Sequence, residues 1–448
     1  MQKILPKNLI LLAKRLPKPL YAVGGAVRDC IANLNPKGAR DWDICAPLPA
    51  QEFAQTAEKL GFSVKSIYKN TGTVKLQDSE GVDYEFSSFR SDKYIRGVHT
   101  PSEIYFTDDI ALDARRRDFT CNAVYYDINA DKYIDILDGI PAIKQKRLTT
   151  VDNPNKVFGE DGLRLMRLAR QAGTLGFTPD NDCLLGAQKN CALIHDIAPE
   201  RIHAELMQIL YADEKYGVKD GHYQGLKVLE NTGVLKCILP ELTLGKQIAQ
   251  RPDYHKYDVL EHCLRAVLYA QPSVRLSALL HDIGKPYCAV NEGNVHNHAE
   301  EGERLAGEIL TRLKAPNKTV FEVKTLVKWH MYDFNCQTSE NKIRRFIVTH
   351  YPYIEALLAL KQADFSACTD CLNVAPTVEK WRRIIQKMQA DNTPFTLKQL
   401  AVNGKELLTL GLAPKTLSKT LNALLLHASV NPKDNKKERL LKLALTFS

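Results

Sequence analysis

The spacing of hydrophobic positions changes once along this chain. Up to about residue 150 the apolar residues come in short runs or alternate with polar ones. YAVGG, WDICA, TVKLQD, DYEFSSF and AVYYDI all read as strands, and the helical pattern AVRDCIANL opens directly after the first of them. From GEDGLRLMRLARQ onward the pattern is almost wholly helical. This predicts an α+β multidomain chain, a mixed sheet with helices followed by an all-helical remainder. At 448 residues the chain exceeds what one core organises. We expect a first domain over 1–150, a helical neck over 151–250, a second helical domain over 251–370, and a helical tail over 371–448 that ends in the basic NPKDNKKERLLKLALTFS.

Composition narrows the class. With 44% hydrophobic and 25% charged residues and no low-complexity segment, the chain reads as soluble and globular. A formal charge of +9 suits a polyanionic partner without requiring one. The five-residue run LILLA is too short for a signal peptide, and no apolar run approaches the ~18 residues of a membrane span, so a cytoplasmic location is expected. The 11 cysteines are scattered and odd in number, which fits reduced thiols. Cys368 and Cys371 form a C-x-x-C without a second pair at zinc-like spacing and are read as structural.

The first chemical signal is YAVGGAVRDCIANLNPKGARDWDICAP. A Gly24-Gly25 turn between a strand and a helix gathers backbone N–H groups that suit a phosphate, although any tight turn can use glycine. Asp41 and Asp43, two apart on a strand, project from one face. Side by side they repel, a cost that Mg²⁺ would remove; an isolated pair could equally be a solvated strand edge. Turn and pair together favour nucleotide chemistry. Glu85 is either a third carboxylate or an exposed strand residue. Arg115, Arg116 and Arg117, followed by Asp118 and Asn122, are either a solvated face or a grip on triphosphate oxygens. Asp161 and Arg164, three apart on an expected helix, are either an ion pair or a matched acceptor and donor. In the second case they fit cytosine and adenine, each of which presents an amino group beside a ring-nitrogen acceptor, and they reject guanine and uracil. Arg167 and Arg170 continue a basic strip.

In order, GGAVRD, DWD, RRDFTCNA, EDGLRLMR and PERIHAEL resemble the head and neck of the class II tRNA nucleotidyltransferases, the bacterial CCA-adding and poly(A) polymerase family, over roughly Tyr21 to Leu206. The resemblance implies a polymerase beta-like head in which Asp41 and Asp43 hold catalytic Mg²⁺. It implies that Gly24, Gly25, Arg28 and Asp29 support the incoming triphosphate, that Arg116 and Arg117 bind nucleotide with Asn122 beside them, and that Asp161 and Arg164 act as a protein template for CTP and ATP alongside Arg167 and Arg170. Glu200, Arg201 and Glu205 match a helix that buttresses the template. FRSDKYIRGVHTPSEIYF matches a flexible loop, with Arg90, Arg96 and His99 as its basic groups, although RGVHTP departs from the family's usual run of adjacent basic residues before proline.

Further on, DVLEHCLRAV, ALLHDIGKP and KQADFSAC place His262, His281-Asp282 and Asp364 in the H…HD…D order of the HD phosphohydrolases, with His298 and His330 free for a second ion. That resemblance implies a divalent metal (Mn, Ni or Mg) and hydrolysis of a phosphoester; a fold whose histidines only order the helices is the alternative. LAVNGKELLTLGLAP extends the likeness towards the C-terminus. The expected activity is addition of C, C and A to tRNA 3′ ends from CTP and ATP. Poly(A) synthesis and CC-only or A-only addition are the rivals within the class. A phosphohydrolase or RNA-binding protein with a degenerate head is the rival outside it, and the intact aspartate pair counts against that one.

Overall fold

The computed structural model describes the chain except residues 39–40, 96–100, 247, 249, 251–252, 254, 292–294 and 448. Arg96 and His99 of the expected loop lie outside the described residues. The chain divides into two compact units, one of residues 1–243 with 312–314 and one of the rest.

The first unit holds a seven-stranded mixed sheet. In chain order the head strands are β1 (Tyr21–Val23), β2 (Trp42–Ala46), β3 (Ser63–Tyr68), β4 (Thr73–Gln77), β5 (Asp83–Ser88), β6 (Arg90–Lys93), β7 (Glu103–Phe106), β8 (Tyr125–Asp127) and β9 (Lys132–Ile134). The sheet order is β3-β4-β5-β2-β1-β8-β9, with β6 and β7 as a separate hairpin. Only β2 and β5 run parallel; every other pair in the sheet is antiparallel. β3, β6, β7 and β9 carry too little apolar alternation to stand out in the sequence. β2 is buried on both sides except at Asp43. An acid left as the single open position of an otherwise buried strand marks where the sheet meets a cleft. Phe53 on the Ala50–Lys59 helix stacks on Phe86 of β5 at 3.7 Å and closes the core beneath.

Helices follow. Leu163–Leu175 packs on Pro199–Leu210 and Gly221–Asn231. The last contact is backbone to backbone, since a Cβ on Gly173 or on Gly221 would sit 2.3 Å from the other's carbonyl oxygen. The second unit is helical among the described residues, with Val259–Tyr269 packed along Ile354–Thr369. No described helix is long and apolar enough to cross a membrane.

Candidate functional site

The first unit contains a polar cleft of ≈ 390 Å³ that both Gly24 and the aspartate pair line. β1 ends at Val23, which pairs with Asp43 of β2, and the chain turns at Gly24 (φ 74, ψ -140) into the Gly25–Ile31 helix. That conformation is close to glycine-only, and a Cβ there would lie 2.8 Å from Asp43 Oδ2. Glycine is therefore required twice over, by the turn and by the carboxylate it abuts. Asp41 and Asp43 flank buried Trp42, and both are open to the cleft. Although open, the Asp43 carboxyl stands in a crowded recess. Loss of water and the charges of Glu85 and Asp41 outweigh Arg117 and Arg167 and lift it to about 6. Asp41 has Lys215 at 3.7 Å, an exposed pair worth little by itself. Glu85 is the register partner of Asp43, bonded to Lys75 at 3.6 Å and not part of the cleft lining.

Arg28 and Asp29 are committed to one another in the cleft floor. The Arg28 Nε and Nη2 donate to Asp29 Oδ1 at 3.1 and 2.7 Å, and Nη1 donates to Asn122 Oδ1 at 2.7 Å. The Tyr216 hydroxyl donates to Asp29 Oδ2 at 2.7 Å, and Asn122 Nδ2 donates to Asp118 and Gln171 at 3.2 and 3.1 Å. Of the arginine run, Arg115 is exposed and outside the cleft, whereas Arg116 and Arg117 line it. Both of these are anchored on Asp113, at 2.7 and 3.1 Å.

The segment that reads as one helix is broken. Pro154–Glu160 ends, Asp161 is extended (φ -145), and Leu163–Leu175 begins afresh. Close approach to a neighbouring segment accounts for the break, because a Cβ on Gly162 would meet the Leu193 carbonyl at 2.5 Å. Asp161 and Arg164 are thus not neighbours on one helix, which corrects the expected geometry. Asp161 Oδ1 accepts from the Leu163 N–H at 2.9 Å, and the ion pair of Arg164 is with Glu160 at 2.9 Å. Arg164 also donates to the carbonyls of Val157 (3.0 Å) and Arg116 (2.7 Å) and lies over the Tyr94 ring at 5.6 Å. Both residues are buried and both line the cleft. Arg167 is bonded to Asp118 (2.8 Å), which, despite burial, is held at about 2 mainly by that arginine. Arg170 is bonded to Glu205 (2.7 Å), while Glu200 and Arg201 are exposed on the same helix as Glu205. Asp113, Tyr94, Lys215, Tyr216 and Gln171 escaped the sequence reading. Asp113 alone had a legible signal, an acid three and four residues before two arginines.

In the second unit six side chains converge. His262 Nε2 lies 3.1 Å from both His281 Nε2 and Asp364 Oδ1, and Asp282 Oδ2 is 3.4 and 3.3 Å from the two histidines. Asp282 Oδ1 faces the other way, 3.4 and 3.5 Å from the Nε2 atoms of His298 and His330. His281, His298 and His330 each donate Nδ1–H to the carbonyl three residues earlier, Ala278, Val295 and Val327, at 2.8, 2.6 and 2.6 Å. In the neutral imidazole this fixes the tautomer that presents a bare Nε2 inward; at His281, however, burial is outweighed by Asp282 and Asp364, which raise it to about 10, so a cation there must displace a proton. Burial pushes His298 down to about 4, so it is neutral at pH 7, the form that ligates. These groups suit divalent cations, with Asp282 shared between two positions. Lys285 Nζ stands 2.6 Å from Asp282 Oδ2. Cys368, read as structural, lies with His255 and His262 in a third group of donor atoms. All eleven cysteines are free.

Three families match the chain in turn: the poly A polymerase head domain over residues 20–149, the probable RNA and SrmB-binding site of polymerase A over 176–244, and the HD domain over 259–349. A CCA-adding enzyme of Limosilactobacillus reuteri (strain DSM 20016) is 34% identical over 47% of this chain and 51% of its own length. An A-adding tRNA nucleotidyltransferase of Deinococcus radiodurans is 29% identical over 78% of this chain and 77% of its own. The chain thus spans about half the length of the first of these relatives. Among solved structures, the Bacillus stearothermophilus CCA-adding enzyme in complex with CTP superposes with a TM-score of 0.67 at 23% identity, over 98% of this chain and 96% of that one. The Thermotoga maritima CCA-adding enzyme complexed with tRNA gives 0.61 at 18%, over 99% and 96%. At these identities the likeness is one of fold.

Proposed function

We propose that this chain is a class II tRNA nucleotidyltransferase with an HD domain and that it completes tRNA 3′ ends by adding C, C and A from CTP and ATP. The observation that carries the reading is the meeting, in one cleft, of a glycine turn pressed against Asp43, a second exposed carboxylate at Asp41, two arginines, and the buried Asp161 and Arg164. We take residues 1–150 as head, 151–250 as neck, 251–370 as HD domain and 371–448 as tail.

Asp41 and Asp43 fit Mg²⁺: two carboxylates at one open corner, one of them lifted to about 6 by crowding and like charge, are hard oxygen donors short of a cation. Bound there, two such ions would acidify the terminal ribose hydroxyl and neutralise the departing pyrophosphate. The chain's own residues do the rest. Gly24 leaves room beside Asp43, and Arg116 and Arg117 face the phosphates. Among the described residues, Arg164 spends three of its five N–H groups on Val157, Glu160 and Arg116, leaving two to donate to a ring-nitrogen edge. Asp161, buried in the same cleft lining, is the acceptor for an exocyclic amino group. Guanine and uracil offer N–H where this pair needs an acceptor, and are rejected.

The HD cluster supports a second, metal-dependent phosphoesterase activity. The donors around Asp282 fit Mn²⁺, Ni²⁺ or Mg²⁺, which would activate water there. The test of the first reading is Asp41→Ala and Asp43→Ala: incorporation of CTP into tRNA is lost while tRNA binding and thermal unfolding stay close to wild type. Near-normal incorporation by either variant sinks the mechanism.

A further inference from the structure

Asp113 shapes the cleft without lining it. It is wholly buried on the Ile110–Arg115 helix, and its two oxygens are divided between two cations. Oδ1 accepts from Arg116 Nε at 2.7 Å; Oδ2 accepts from Arg117 Nη2 at 3.1 Å and from the Tyr125 hydroxyl at 2.6 Å. Consecutive guanidiniums repel, and Arg115, which lacks this anchor, is turned out to solvent. Against the cost of burial, the two arginines hold the Asp113 carboxyl at about 2, so the anchor is ionised throughout the working range.

The geometry points to Asp113 as a positioning residue that aims Arg116 and Arg117 at the phosphates of the incoming nucleotide, an assignment that rests on the nucleotide reading of the cleft. Simple electrostatics makes the opposite forecast. Removing a buried negative charge raises the positive potential of the cleft and would tighten an anion. Positioning says the anion is lost, because unanchored guanidiniums no longer present their forks to phosphate oxygens.

The experiment is calorimetric binding of a non-hydrolysable CTP analogue and of CMP, with Mg²⁺, to the full chain and to Asp113→Asn. We expect the triphosphate to bind at least about tenfold more weakly and CMP to change less than about twofold, since CMP lacks the β- and γ-phosphates on which the two aimed guanidiniums would act. Tyr125→Phe removes no charge but takes away one bond to the same carboxylate and the hydroxyl to which Arg117 Nε donates at 3.2 Å, so it loosens the same anchorage and should weaken the triphosphate by about two- to fourfold in the same direction. Tighter triphosphate binding in Asp113→Asn, or equal loss for both ligands, overturns the assignment. If Asp113→Asn fails to fold, unchanged triphosphate binding by Tyr125→Phe overturns it instead. A wild-type chain that binds the triphosphate no better than CMP removes the nucleotide reading of the cleft, and this assignment with it.

Discussion

Gly24→Ala and Gly61→Ala both put a side chain on backbone of positive φ but differ in what the new methyl group meets. Both glycines have positive φ, +74 and +84; the added Cβ finds nothing within 4 Å at Gly61 and finds Asp43 Oδ2 at 2.8 Å at Gly24. Positive φ alone costs each alanine at least roughly 1–2 kcal/mol, which for a unit of this size lowers its unfolding midpoint by at least roughly 2–8 °C. Only at Gly24 must a carboxylate also withdraw, by a few tenths of an ångström. Where a displacement of about 1 Å costs about a hundredfold in rate, half of that costs about tenfold. The assay is single-turnover CTP incorporation into tRNA at saturating substrate, set beside thermal unfolding of the same preparations. We expect both variants to melt early and only Gly24→Ala to lose rate, by about ten- to a hundredfold. Equal rates in the two variants would show that the abutment of Gly24 on Asp43 has no bearing on chemistry.

Arg164→Ala should raise UTP and GTP incorporation relative to CTP. Tyr94→Ala should do so in part and Tyr94→Phe not at all, because the ring, 5.6 Å from the guanidinium, keeps its plane; unchanged selectivity in Arg164→Ala would make it an ordinary ion-pair residue. The Asp43 carboxyl, raised to about 6, is protonated below that pH, so a cation must displace a proton there. The Mg²⁺ concentration for half-maximal incorporation should therefore rise as pH falls from 7 to 5 and level off above 7, and a flat profile across that range contradicts the assignment. His281→Ala and Asp282→Ala should lose metal-dependent phosphodiesterase activity while keeping CTP addition; loss of both activities in a folded variant would mean one coupled site.

Much of the cleft was legible because its parts are local in sequence. A glycine turn after an apolar run, an acid on each side of a tryptophan, and arginines just before a strand all declare themselves within a few residues. The HD cluster was legible for a different reason: His262, His281-Asp282 and Asp364 follow one another in the H…HD…D order of the HD phosphohydrolases, and three of them, His262, His281 and Asp282, are polar groups buried at a cost that partners must offset. What periodicity could not show was the break at Asp161. The interruption comes from contact between Gly162 and the Leu193 carbonyl, some thirty positions away in the chain. The same applies to Tyr216, whose bond to Asp29 joins positions 187 apart. Strands β6 and β7 pair through polar residues such as Lys93 with Glu103, and hydropathy is silent there.

The measurement that bears most directly on the central claim is product length on a tRNA that ends at the base before its CCA. With CTP alone the account predicts a product two nucleotides longer, with CTP and ATP one three nucleotides longer, and with GTP or UTP no extension. Arrest after two additions with ATP present would make this a CC-adding enzyme. Extension by ATP only on a tRNA already ending in CC would make it an A-adding one, and long A tracts on unrelated RNA a poly(A) polymerase. No extension under any of these conditions by a folded chain would contradict the account altogether.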